Sequence, residues 1–188
     1  PTTVAPGAAI PFHCNLCGTA NSGTLAQLSR ELPSCTRCGS TVRFRAMAYL
    51  VTREVLGRPA VLTALTPRPD VTGIGLTDAD AYARPLATAF AYENTWYHTE
   101  PRVDITQIDA SRERRYDFVI ASDVFEHVLP PVGRAFVNVR RMLKPGGKFI
   151  FTVPFCLEAA TREHFPDLHD WKLAEVDGRW ILDNTTAD

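Results

Sequence analysis

Two cysteine pairs constrain this chain more than any other feature. Cys14-x2-Cys17 is followed, after 17 residues, by Cys35-x2-Cys38, and Gly18 or Gly39 comes directly after each second cysteine. Four thiolates at this spacing can close a tetrahedron around Zn²⁺ and leave no open position for catalysis. The glycines let the backbone turn beneath the metal. The expectation is a structural zinc site with Cys14, Cys17, Cys35 and Cys38 as its ligands. The competing reading is a set of free or redox-active thiols. His13 borders Cys14 but is not needed once four sulfurs are available. Cys156 stands alone and is expected to be a small buried residue.

The chain has 188 residues, room for one medium domain or a small module joined to a larger, truncated one. With 45% hydrophobic and 22% charged residues it has the composition of a soluble globular protein. No apolar run approaches the roughly 20 residues that span a bilayer. No leader pattern is visible, so a cytoplasmic location is expected. Net charge is −1, and residues 1–60 hold six arginines and two acids. Zinc held by four thiolates would remove about two of those positive charges. No strongly basic face is expected, which argues against a nucleic-acid partner. Arg37, Arg43 and Arg45 gather near the second knuckle, so the module has two readings: it stabilises the N-terminal lobe, or it binds substrate or nucleic acid.

Residues 1–11 are rich in Pro, Ala and Gly and suit an extended arm. Ser40 or Thr41 can cap a helix over 42–56, whose apolar set is Phe44, Met47, Ala48, Val51 and Val55, with Gly57 just past its end. Residues 57–70 contain three prolines and suit a linker, with a short strand over 61–65. Strands and helices then alternate. Strands are expected over 71–76, 94–98, 117–122 and 148–153, and helices over 79–90 and 131–143. The run DFVIAS is apolar on both faces, as in a central parallel strand. Asp177-Gly178 marks a closing hairpin. The fold class is therefore α/β: a Rossmann-like, doubly wound, mostly parallel sheet with a small N-terminal zinc-knuckle module. Its expected parts are the arm and knuckle (1–40), a helix and linker (41–70) and the α/β domain (71–188).

The segment YDFVIASDVFEHVLPPVGRAFVNVRRMLKPGGKFIFTVPF, residues 116–155, resembles the second half of class I S-adenosylmethionine (SAM) dependent methyltransferases. There a strand ends in an acidic, EHV-like turn, a helix ends in LKPGG, and the next strand ends in VP. The whole chain is similar to a bacterial subgroup that joins a CxxC–CxxC module to a segment like GIGLTDADAYARPLATAFAYENTWYHTEP. The resemblance implies a SAM-dependent methyltransferase, and it departs from the family at one point. The acidic residue and GxGxG loop after the first strand are replaced by Gly73-Ile74-Gly75-Leu76-Thr77-Asp78. Such glycines let the backbone approach the cofactor's methionine end.

By position, the resemblance implies cofactor contacts at Gly73, Gly75, Thr77 and Asp78, at Glu100 for the ribose, at Asp104 and Ile105 for the adenine, and at Ser122 and Asp123. Each acid could equally be a solvated loop residue or a helix cap. Asp123-x-x-Glu126-His127 resembles a cluster that holds a divalent metal in ubiquinone O-methyltransferases and small-RNA 3′-end methyltransferases. The alternatives are that this turn only caps and packs, or that His127 is a general base. His164, His169 and Trp171 fall where the family lines its acceptor pocket, or are simple loop residues.

The leading expectation is methyl transfer to a small-molecule or glycan-like acceptor. One alternative is a methyltransferase-like domain that has lost SAM and serves as a binding or assembly module. Another is a zinc-containing RNA methyltransferase. The family's sheet usually has seven strands and this chain supplies four, so an incomplete C-terminus or another way of completing the sheet is expected. Oligomeric state is not legible.

Overall fold

The computed structural model describes residues 5, 7–156, 158–162 and 164–186. Five of the eleven residues of the expected arm, 1–4 and 6, lie outside the described residues. The chain divides into two compact units, one ending at Val153 and one beginning at Pro154.

The first unit opens with an antiparallel hairpin, β1 (Ile10–His13) and β2 (Ala20–Gly23), so the end of the expected arm is a strand. Helix α1 (Val42–Leu56) follows. Thr41 caps it by accepting from the Phe44 N–H, and Gly57 closes it in the left-handed conformation, φ 74°. Residues 61–65 are not a strand. They wind into a 3-10 turn, Leu62–Ala64, because their backbone is taken elsewhere: Leu62 and Thr63 N–H groups donate to Asn15 and Leu16 carbonyls of the first knuckle.

The remaining elements are β3 (Arg68–Leu76), α2 (Asp80–Ala89), β4 (Phe90–Thr95), β5 (Tyr116–Ser122), α3 (Gly133–Met142) and β6 (Leu143–Thr152). The four strands form one parallel sheet in the order β4-β3-β5-β6. The strand expected over 94–98 lies earlier, since β4 pairs with β3 through Thr95 and the chain then folds back in a Trp96–Arg102 bridge. Strand β6 also starts earlier than expected. Leu143 already pairs with Tyr116, the Lys-Pro-Gly-Gly stretch loops out, and Lys148 resumes opposite Phe118. Gly146, at φ 79°, makes that excursion possible.

Both sheet faces are covered, which explains the apolar run in β5. Phe118 and Ile120 face α1 and α2 (Met47, Val51, Tyr82, Leu86) together with Cys14, Leu16 and Cys35. Val119 and Ala121 face α3 (Ala135, Val139, Met142). The cysteine module therefore shares one core with α1 and the sheet. Among the described residues no helix is long and apolar enough to cross a membrane.

The second unit holds an antiparallel hairpin, β7 (Trp171–Val176) and β8 (Arg179–Asn184). Asp177 and Gly178 both have positive φ, 50° and 73°, the two-residue turn that matches strand twist. Cys156 is exposed rather than buried.

Gly73 is required by packing. A Cβ there would lie 2.1 Å from the ring of fully buried Phe118, which stacks on Tyr92 and meets Phe90 edge-on. Gly73→Ala is expected to destabilise the chain by about 1–3 kcal/mol through overpacking. Urea unfolding checks this, and an unchanged midpoint would contradict it.

Candidate functional site

The four cysteine sulfurs lie within 4.8 Å of one another, and among the described residues they are the only group of three or more side chains placed to share a metal ion. Cys14–Cys38 and Cys17–Cys35 sulfurs are both 3.6 Å apart. A tetrahedron with Zn–S bonds near 2.3 Å needs about 3.8 Å. The two knuckles are built alike. Gly18 N–H donates to the Cys14 carbonyl and Gly39 N–H to the Cys35 carbonyl, with both glycines left-handed. Asn21 donates to Cys35 Sγ, and Ser40 Oγ lies 3.3 Å from Cys14 Sγ. Burial raises the Cys35 thiol, but the Cys38 and Arg37 backbone N–H groups outweigh it and bring it down to about 6. The donor set fits zinc.

A second constellation lies at the carboxyl ends of β3 and β5. The chain runs from β3 to β4 on one side and to β5 on the other, so this is the switch point where such sheets receive ligands. Both strands end in strained backbone there: Thr77 has φ 60° and Asp123 φ 56°. For β-branched Thr77 this costs about 1–2 kcal/mol. Strain of this kind concentrates at functional sites.

The segment between the knuckles and the start of α1 reach over this edge. Arg30 donates to both Asp123 oxygens, at 2.9 and 2.5 Å. Arg43 donates to Ser122 Oγ at 2.7 Å and grips Glu31 with Nε and Nη2. Its Nε is also 3.4 Å from Asp123. Thr152 Oγ1 donates to Asp123 Oδ1 at 2.8 Å. Burial would raise the Asp123 carboxyl, but Arg30, Thr152 and Arg43 hold it below the ordinary range. Three residues after Asp123, the buried Glu126 Oε2 has no donor among the described residues.

Beneath the edge sits Asp78, which turns inward. It accepts from Tyr82 at 2.7 Å and from Tyr92 at 2.5 Å. Asn94 clamps its backbone from both sides. Burial dominates over the two hydroxyls and raises its carboxyl to about 7. The same burial, with Asp78 opposite, pushes both tyrosines up. Gly75 makes room for this group, since a Cβ there would lie 1.9 Å from Tyr92 Oη and 2.2 Å from Asp78 Oδ2. The open faces of Gly73 and Gly75 thus receive the chain's own side chains.

The other residues singled out by sequence follow strand ends on the same edge. Glu100 is exposed in the loop after β4 and accepts from the Arg102 N–H. Asp104 caps a turn, accepting from Thr106 N–H and hydroxyl, and Ile105 is buried with its carbonyl held by Asn138. Asp123, Glu126 and His127 do not converge as metal ligands: Asp123 is held by arginines, while His127 is 61% exposed and 3.9 Å from Glu126. His169 and Trp171 belong to the second unit, where the His169 N–H donates to Thr186, and the His164 ring lies edge-on to Phe165 in that unit. Sequence reading missed Arg30, Glu31 and Thr152. Only the Arg30-Glu31 charge pair inside the inter-knuckle segment hinted at them.

The sequence model of a family described as a methyltransferase domain matches residues 46–185. No curated protein matches the chain. One similar solved structure is a chain of the complex between the Haloferax volcanii Trm112 methyltransferase activator and a methyltransferase candidate. It is 17% identical, with 59% of this chain and 56% of that chain covered and a TM-score of 0.37. Another is the PH0226 protein from Pyrococcus horikoshii OT3, 20% identical, with 65% and 63% covered and a TM-score of 0.33. Likenesses this slight carry no argument, and the chain spans less than two thirds of either structure.

Two outcomes follow from the geometry. Purified chain is expected to hold one zinc ion by elemental analysis, and a strong chelator should lower its melting temperature, because Cys14 and Cys35 belong to the core. An unchanged melting curve would leave the cluster as plain thiols. Asp78 has a raised folded-state value, so its contribution is full below about pH 4, its unfolded value, and is lost as pH rises through about 7. Asp78→Asn is therefore expected to gain stability relative to the parent as pH rises from about 4 to about 7. Parallel stability–pH profiles would refute this.

Proposed function

Because this chain belongs to the methyltransferase domain family, we propose that it binds SAM at the carboxyl edge of β3 and β5. Its methyl group then passes to a small-molecule or glycan-like acceptor. The observation that carries the reading is the charge arrangement at that edge. Two guanidinium groups, Arg30 and Arg43, meet the carboxylates of Asp123 and Glu31. A carboxylate suits the planar guanidinium fork, and an ammonium suits Asp123 and the Glu126 oxygen that has no donor among the described residues. These are the two charged groups of the cofactor's methionine end. Glu100, Asp104 and Ile105, in the chain after β4, are the residues that would hold the cofactor's adenosine part.

When bound, SAM supplies a methyl group made electrophilic by its sulfonium. The chain's part is alignment and water exclusion. Arg30 and Arg43 anchor one end, and Thr77, exposed and strained, presents backbone at the mouth. His127 is the proposed base for an acceptor atom that carries a proton. Zinc is the structural ion, and four thiols on a metal suit a reducing compartment such as the cytoplasm.

A second reading has its own support. Asp78 and Tyr92 fill the space that the glycine loop leaves open in this family, which suits a domain that has given up the cofactor and serves as a binding module.

Calorimetric titration of the zinc-loaded chain with SAM and S-adenosylhomocysteine separates the two. The enzyme reading expects micromolar binding, weakened about tenfold or more in Arg43→Gln, the loss of one charge-assisted contact. Asp104→Ala should weaken it as well. No binding of either ligand by a folded, zinc-loaded chain would sink this reading in favour of the module.

A further inference from the structure

The edge of the sheet opposite the candidate site carries a feature the sequence hides. Residues 112–117 and 140–148 hold seven cations and two acids, in a chain whose net charge is −1. The fold brings the two segments together: Arg114 and Arg115 N–H groups donate to Arg141 and Met142 carbonyls at 2.8 and 2.9 Å. Between them lies an open cleft of about 740 Å³ at the amino ends of β5 and β6. Its walls carry Arg114, Arg140, Arg141 and Lys144, against the single acid Glu113. Arg141 is paired with Glu113 and Lys144 with Asp117. Arg114 and Arg140 are exposed and make no ion pair among the described residues. Arg140 and Arg141 also suit the carboxyl end of α3, where cations offset the helix dipole. That explanation does not reach Arg114, which reaches this cleft from a left-handed backbone, φ 50°.

The cleft is not uniformly polar. Val137, 59% exposed, and Leu143 help line it. An apolar lining flanked by free guanidinium groups matches a short amphipathic segment, with carboxylates for the arginines and one apolar side chain for the centre. It matches a nucleic-acid backbone less well, because the cleft has no aromatic ring for a base to stack on. The rest of the chain is also net acidic and would repel an extended polyanion.

We propose that this groove docks an acidic segment of another protein, remote from the methyl-transfer site. The proposal does not rest on the methyltransferase reading.

The test is fluorescence anisotropy at about 50 mM salt with the zinc-loaded chain. The probe is a labelled decapeptide of glutamate and aspartate around one central leucine. Saturable binding is expected, weakened about tenfold or more in the Arg114→Glu/Arg140→Glu double variant. Replacing the leucine by glycine should weaken it severalfold. Both arginines are exposed, so circular dichroism and zinc content should be unchanged. Arg140→Glu alone, which leaves the left-handed residue intact, should still weaken binding. Absence of saturable binding would overturn the proposal, as would equal binding by the double variant. A single-stranded RNA decamer that binds as tightly as the peptide would overturn it too, reassigning the groove to phosphate.

Discussion

The four sulfurs are the constraint on which the rest of the N-terminal half depends. They tie two turns, 17 residues apart, into one point, and they do so inside the core that α1 and the sheet share. The segment between the turns is thereby closed at both ends, and its reach is fixed. That is why Arg30 and Glu31, which have no periodic or hydrophobic reason to be ordered, end on Asp123 and Arg43. The linker clips onto the same point through Leu62 and Thr63. Knuckle, helix and sheet edge form one mechanical piece, although the sequence reads as a module followed by a domain.

Legibility followed the range of the interactions. Features set by neighbouring residues were readable: Thr41 and Gly57 at the ends of α1, the Asp177-Gly178 turn, the cysteine pairs, and the parallel sheet implied by β5. Features set by partners distant in sequence were not. The β1–β2 hairpin is too short to show a period. The early start of β6 depends on how Leu143 meets Tyr116 across the sheet. In the candidate site, Ser122 and Asp123 were legible as residues at a strand end. Their arginine partners, 79 and 93 residues away, were not.

Asp78 is the most instructive case. In sequence it reads as a polar residue in a ligand loop. In the fold it is buried beneath that loop, because Gly75 has no side chain to exclude it and two tyrosines and Asn94 satisfy it. Gly73 likewise reads as a loop glycine and proves to be space for Phe118. A glycine can serve a ligand or a neighbouring side chain, and only the third dimension distinguishes them.

The Arg30–Asp123 pair has a thermodynamic consequence. Arg30 hangs from a segment whose two ends are the cysteine pairs placed to share a metal ion, so the free energy of ordering that segment belongs to both sites. Any ligand that favoured the ordered Arg30 would raise the affinity of the cysteines for a metal ion by the same factor that the ion would raise its own. Reciprocity of this kind requires no motion of the sheet. A metal held by the cysteines would in this way help to set what the carboxyl edge of β3 and β5 can hold.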